Sequence, residues 1–262
     1  DIDKNNKYKD FKPQYTGLNG ESLIKTSDWR YTLDKESPNY SKNTVGLHFH
    51  DIPAHQKFLI EKYGINDTPS VTHKELFFDI ECEMLDDMSE EGIKRADKKV
   101  TSIAWYDKQV DEWGIVILDE KQQLTHTKTK SSKEIIPCKT EQELLAKFLE
   151  KFREMDPDII VGWNSDYFDI PYLYYRMCSV LGMDWADQLS PLGKVNCKKN
   201  NDYWYKRNQF VDIVGVESLD YIRLHKKYSW KDEPSWKLDA IGEKYAGVNK
   251  IEYEGNLDQL FE

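Results

Sequence analysis

Cysteine is scarce in this chain. The 262 residues hold 4, at Cys82, Cys138, Cys178 and Cys197, and no two lie close enough for a zinc knuckle or a dithiol redox motif. Buried, reduced thiols are the expected state. No apolar run approaches the roughly 20 residues of a membrane span, so no membrane partner is expected. Positive charge is in deficit: 37 Lys and Arg stand against 47 Asp and Glu, a net charge of −10. That excludes a protein that grips nucleic acid by bulk basicity, though not a nuclease with local cations. Internal repeats and low-complexity tracts are also missing. The opening Asp1-Ile2-Asp3-Lys4-Asn5-Asn6 is neither a leader peptide nor an initiator methionine, and reads as the interior of a longer frame. What is present is 39% hydrophobic and 13% aromatic content, enough for a real core and against a disordered tail. The length suits one large domain or two smaller ones.

The chemistry gathers at Glu75-Leu76-Phe77-Phe78-Asp79-Ile80-Glu81-Cys82. The apolar β-formers predict a strand. Side chains two apart on a strand share a face, so Asp79 and Glu81 leave it together, about 7 Å apart. Like charges so placed repel, and a hard divalent cation would relieve them. From this stretch alone, a metal site and a solvated acidic edge strand are equally open. A second stretch lies at Val161-Gly162-Trp163-Asn164-Ser165-Asp166-Tyr167-Phe168-Asp169-Ile170-Pro171-Tyr172-Leu173. It follows a predicted strand over 158–163, and Pro171 suits the start of the next helix. Asp169 then falls in a helical first turn beside a strand end.

The remaining elements follow from pattern. Residues 1–70 read as a first, partial module, with aromatics among turn residues to position 40 and an amphipathic helix over 52–64 that buries Phe58, Leu59 and Tyr63. The hinge 66–70 sets the boundary, and 71–262 is the second domain. Residues 86–99 are almost wholly charged and read as a surface excursion. Strands over 100–106 and 112–118 continue from the first in an antiparallel meander. Thr140-Glu141-Gln142-Glu143 has capping-box form and opens a helix to Met155, with Leu144, Leu145, Phe148, Leu149 and Phe152 on one face. Residues 194–197 and 203–213 read as the arms of a β-ribbon. Its tip joins Lys198, Lys199, Lys206 and Arg207 to Tyr203, Trp204 and Tyr205, a mix suited to nucleic-acid bases and phosphates, while an ordinary exposed hairpin also fits. Residues 217–228 read as one helix and 236–245 as another.

Asp-x-Glu on a strand, followed by Asn-x-x-x-Phe-Asp-x-Pro-Tyr-Leu after a strand, resembles the first two exonuclease motifs of family B DNA polymerases, above all those of bacteriophages. The likeness covers about residues 50–262 and is motif-level over 75–173. It implies a ribonuclease-H-like α/β exonuclease fold with a mixed sheet, behind part of a smaller α+β N-terminal domain. It implies 3′→5′ removal of mispaired primer ends with two Mg²⁺ (or Mn²⁺) ions, in the cytoplasm of an infected host. By the resemblance, Asp79 bridges both ions, Glu81 binds one and helps orient the water, and Asp169 binds the other. Asn164 and Phe168 would shape the pocket for the terminal nucleotide. The ribbon matches a hairpin that helps part primer from template. The partners implied are single-stranded DNA, primer-template 3′ ends, and the thumb, palm and fingers of the polymerase, in cis or as a separate chain; the polymerase motifs themselves are not in these residues.

The family's third motif, Tyr-x-x-x-Asp, occurs literally at Tyr228-Ser229-Trp230-Lys231-Asp232. In the phage enzymes, however, a Pro-Ser-aromatic-x-Leu-Asp helix precedes that motif. Here the helix is Pro234 to Asp239, so the motif is expected beyond Glu262, Asp239 is expected in a helix rather than at a metal, and exonuclease activity of the 262 residues alone is expected to be feeble. Two rivals stay open. One is a nucleic-acid-binding module without turnover; the other is a complete stand-alone nuclease using Asp232 or Asp239.

Overall fold

The computed structural model describes residues 10, 12–17, 19–24, 54–64, 72–129, 133–198, 210–229 and 233–248. The chain divides into two compact units, Asp1–Val71 and Thr72–Glu262. In the first, β1 (Tyr15–Thr16) and β2 (Ser22–Leu23) pair as a short antiparallel hairpin, and α1 spans Ala54–Tyr63. The expected buried face of α1 is not there: Phe58, Leu59 and Tyr63 are exposed, as is Ile60. Phe58, Leu59 and Ile60 are consecutive, so they fan around the helix instead of lining one stripe.

The second unit is built on a seven-stranded mixed sheet. Its strands are β3 (Glu75–Cys82), β4 (Val100–Asp107), β5 (Glu112–Leu118), β6 (Thr127–Lys128), β7 (Lys133–Cys138), β8 (Ile159–Gly162) and β11 (Glu217–Asp220), in the spatial order β11-β8-β3-β4-β5-β7-β6. β3, β4 and β5 pair antiparallel in chain order, the meander that the sequence predicts; a short turn joins β4 to β5, while residues 83–99 join β3 to β4. The crossover through α3 (Glu141–Met155) lets β8 return parallel to β3, with Phe77 opposite Val161. A further parallel pairing sets β11 on β8, with Asp220 opposite Gly162. The class is therefore α/β with a mixed sheet, as expected.

Alternation along β3 separates two faces. Leu76, Phe78 and Ile80 are buried, and the Phe78 ring lies 6.3 Å from that of Phe148 on α3. Phe77, Asp79 and Glu81 point to the other face. Half of the expected capping box is present: Thr140 Oγ1 accepts from Glu143 N at 3.2 Å, while the Glu143 carboxylate accepts at 2.8 Å from Lys139 N, one residue ahead of the N-cap, instead of from Thr140 N. All five apolar residues assigned to its inner face are buried. Glu141 is itself 8% exposed, and Arg176 binds it with two hydrogen bonds of 2.7 Å. Arg176 sits on α4 (Asp169–Val180), so this ion pair ties α3 to α4.

Three expectations need correction. Residues 86–99 are not simply a surface excursion. They contain α2 (Glu90–Arg95), capped where Ser89 Oγ accepts from Gly92 N, and they bury Ile93 and Ala96 at 3% and 0% exposure. Charge on every side hid two apolar anchors. Residues 217–228 are not one helix: 217–220 form β11, and only Tyr221–Tyr228 form α6. Pairing with β8 supplies those four residues with hydrogen bonds that helical periodicity does not foresee. The last helix, α7, begins at Leu238, two residues later than expected, and ends at Ala246 before Gly247 in a left-handed conformation. Between α4 and β11 come α5 (Met183–Ala186), a single 3₁₀ turn, and the antiparallel ribbon of β9 (Val195–Lys198) and β10 (Phe210–Ile213). The expected ribbon thus exists at its base. Lys198 ends β9, while Lys199, Lys206 and Arg207 of the tip lie outside the described residues.

Candidate active site

β3 and β8 run side by side and then part. Their last paired residues are Phe77 and Val161, so the N–H of Ile80 has no strand partner on the β8 side. Asp169 takes that place. Its Oδ1 accepts from Ile80 N at 3.2 Å, from the first turn of α4. The acidic side chain at the helix start, expected beside a strand end, is therefore plugged into the backbone of the Asp-x-Glu strand itself.

Burial and charge make this contact unusual. Asp169 is 4% exposed, and its carboxyl is pushed up to about 7, first by desolvation and next by the negative charge of Asp79. Asp79 is exposed on the open face and Glu81 is half-buried beside it. The Cys82 thiol is pushed up to about 12, first by burial and then by the charges of Glu81 and Asp169. Negative charge is thus concentrated at the end of β3, where a cation would be favoured. The donor set is carboxylate oxygen, which suits Mg²⁺ or Mn²⁺. Among the described residues, no three His, Cys, Asp or Glu side chains are already grouped to hold an ion. Asp79 and Asp169 act on one another electrostatically, and Asp169 spends one oxygen on the Ile80 N–H. On its own residues the site fits a divalent cation by charge and donor type.

The turn from β8 into α4 presents two further residues singled out from the sequence. Asn164 stands in a left-handed conformation, φ 63, and its carbonyl accepts from Tyr167 N and Phe168 N at 3.0 and 3.1 Å. Asn tolerates this conformation better than most residues. Phe168 ends the turn as the N-cap of α4, with its ring stacked on Tyr172 at 5.4 Å. Gly162 is needed here, because a Cβ would come 2.6 Å from Ser165 Cβ. Beside Asp79, the same sheet face carries a groove of about 580 Å³ whose lining includes Phe77, Tyr106, Trp113, Trp163 and Tyr221. Asp239, in the first turn of α7, is a helix residue as expected. Asp232 lies outside the described residues.

Sequence reasoning missed a second carboxylate pair. Asp220 is 3% exposed and accepts from the backbone N–H groups of Asn164, Ile222 and Asp166. Asp166 accepts from Ser218 Oγ at 2.5 Å and from Arg223 at 2.9 Å. One signal existed: an Asp just ahead of an amphipathic run is a helix N-cap pattern.

The chain is similar to proteins already known. The model of the DNA polymerase family B exonuclease domain matches residues 24–241. A DNA-directed DNA polymerase of Escherichia phage RB69 is 36% identical over 159 residues, 58% of this chain and 17% of the relative. A DNA-directed DNA polymerase of Enterobacteria phage T4 is 30% identical over 127 residues, 48% of this chain and 14% of the relative. A DNA polymerase of Pyrococcus glycovorans is 33% identical over 212 residues, 79% of this chain and 23% of the relative. The chain therefore spans less than a quarter of the length of each. The mixed seven-stranded sheet is consistent with the ribonuclease-H-like fold of such exonuclease domains.

Proposed function

The chain belongs to the exonuclease-domain family of family B DNA polymerases, and from that premise we propose that it is the 3′→5′ proofreading exonuclease portion of a phage-type DNA polymerase. The observation that carries the reading is the buried Asp169 carboxyl, docked on the Asp79–Glu81 strand and held near neutrality by burial and by Asp79. Buried carboxyls raised by desolvation and by a neighbouring carboxylate concentrate at ligand-binding and proton-handling sites, and this one stands beside the Asp-x-Glu pair.

The reaction is hydrolysis of the terminal phosphodiester. Water adds its oxygen to phosphorus, the bond to the penultimate 3′ oxygen breaks, and the proton lost by the water balances the one gained by that oxygen. Two divalent cations, when bound, would supply charge neutralisation at the phosphoryl group and a more acidic water. Asp79 and Asp169 would hold them, with Glu81 holding one and accepting a hydrogen bond from the water. Asn164 and Phe168 would bound the space for the terminal nucleotide. Lys198, Lys199, Lys206 and Arg207 would meet DNA phosphates on the ribbon. The rest of a polymerase would deliver primer-template ends to the site.

Single-turnover digestion of a 5′-labelled single strand with Mg²⁺ or Mn²⁺, by the 262 residues joined to or mixed with a downstream segment carrying Tyr-x-x-x-Asp, tests this reading. Stepwise shortening from the 3′ end, lost in Asp79→Ala and in Asp169→Ala, is expected. Shortening that survives either substitution, or early release of the 5′ label, overturns it.

A further inference from the structure

We propose that Asp220 is a positioning residue for this site: its carboxylate sets the Asn164 turn through which Phe168 and Asp169 are presented to β3. The inference rests on the reading of Asp169 given above. It concerns a group outside that reading's ligand set.

Asp220 stands at the junction of β11 and α6, opposite Gly162 in the parallel pairing with β8. Its Oδ1 accepts from Ile222 N at 3.1 Å, which caps α6. The same oxygen accepts from Asn164 N at 2.8 Å, across 56 positions of sequence, and Oδ2 lies 3.4 Å from Asp166 N. One buried carboxylate thus joins the end of β11 to the loop that leaves β8. Capping alone needs only the Ile222 contact. The other two serve a turn whose Asn164 holds φ 63, a conformation that costs about 1 kcal/mol or more for a non-glycine residue unless its surroundings secure it. From that turn the chain runs straight into α4: Asn164 O accepts from Phe168 N, and Ser165 O accepts from Ile170 N. Asp169 lies between those two anchored residues. Ser218 and Arg223, both from the β11–α6 side, hold the Asp166 carboxylate and so brace the same loop. Burial, with the charge of Asp166 next, raises the Asp220 carboxyl. The backbone donors oppose that shift, as they do wherever a carboxylate is kept for its acceptor geometry.

The geometry distinguishes variants. Asp220→Asn retains an amide oxygen that can receive both Asn164 N and Ile222 N. Asp220→Ser keeps a good helix cap, but its short hydroxyl cannot span to Asn164. Two readouts on the 262-residue chain, below the unfolding temperature of each variant, decide the matter. The first is the amide proton resonance and hydrogen exchange of Ile80, the donor to Asp169. The second is the Mn²⁺ dissociation constant. We expect Asp220→Ser to shift the Ile80 amide upfield, to speed its exchange, and to weaken Mn²⁺ binding about ten- to a hundredfold, the usual cost of removing a group that orients a ligand. Asp220→Asn should leave the Ile80 resonance in place and stay within about threefold in Mn²⁺ affinity. A purely structural cap predicts the opposite for Asp220→Ser: a folded protein with Ile80 and Mn²⁺ affinity unchanged, which overturns the proposal. Equal disruption by Asn and Ser also overturns it. If the unsubstituted chain binds no Mn²⁺, the metal reading of Asp169 fails by itself, and the Ile80 resonance still decides the role of Asp220.

Discussion

Asp169→Asn should stabilise this protein when no divalent cation is present. The carboxyl is raised from 3.8 to about 7, so it gives up its proton about three pH units later in the folded chain than in the unfolded one. The sign follows from linkage. Below about pH 4 both states carry the proton and the group costs nothing. Between about 4 and 7 the unfolded chain ionises while the folded one does not, so stability falls as pH rises, and the loss is complete above 7. At about 1.36 kcal/mol per unit the ceiling is roughly 4 kcal/mol, and relaxation around the buried charge brings the expected range to about 2–4 kcal/mol. Asparagine removes this cost and keeps an oxygen for the Ile80 N–H that Asp169 accepts at 3.2 Å. For a unit of this size, a gain of that order raises the midpoint by roughly 4–16 °C. The assay is thermal unfolding of both proteins in chelator at pH 8 and pH 5. The variant should melt higher at pH 8, and the gap should narrow at pH 5, where folded Asp169 has regained its proton. Adding Mn²⁺ should raise the parent more than the variant, because only the parent presents the charged ligand. A gap that does not change with pH, or a variant less stable at pH 8, refutes the reasoning.

Other outcomes follow from the same structure. Arg176→Ala strands the buried Glu141 carboxylate that Arg176 grips at 2.7 Å; a loss of about 3–5 kcal/mol is expected in urea unfolding, and a loss under about 1 kcal/mol would contradict it. Gly162→Ala places a methyl 2.6 Å from Ser165 Cβ and must push the β8–α4 turn aside. It should cost about 1–3 kcal/mol in the same assay and depress exonuclease activity with it; unchanged values for both count against the close approach. Replacing Lys198, Lys199, Lys206 and Arg207 with Ala should weaken single-strand binding, and four lost phosphate contacts would flatten the log–log salt slope by up to about 3. A filter-binding series with an unchanged slope removes the ribbon from the DNA path.

Much of the site was written in local pattern. Two-residue alternation alone put Asp79 and Glu81 on one face of β3, opposite the buried Phe78 and Ile80. Helical spacing and the Thr140 cap predicted α3 and its buried residues, because a helix closes its hydrogen bonds within itself. The strand-then-turn pattern ahead of Pro171 placed Asp169 in the first turn of α4 for the same reason. What the tertiary structure decided depended on partners far away in sequence. Residues 217–220 carry no strand signal strong enough to separate them from the helix that follows; the waiting edge of β8 makes them β11. Ile93 and Ala96 look incidental in a charged stretch until the core closes over them. Asp220 reads locally as an ordinary helix cap, and only the parallel pairing of β11 with β8 brings its second function, the Asn164 N–H, within 2.8 Å. The near-neutral carboxyl of Asp169 likewise could not be foretold from its neighbours in the chain, since burial and the charge of Asp79 arise only when α4 docks against β3. A sequence specifies which face is apolar and where an element begins; the energies of buried charges depend on what the fold packs around them.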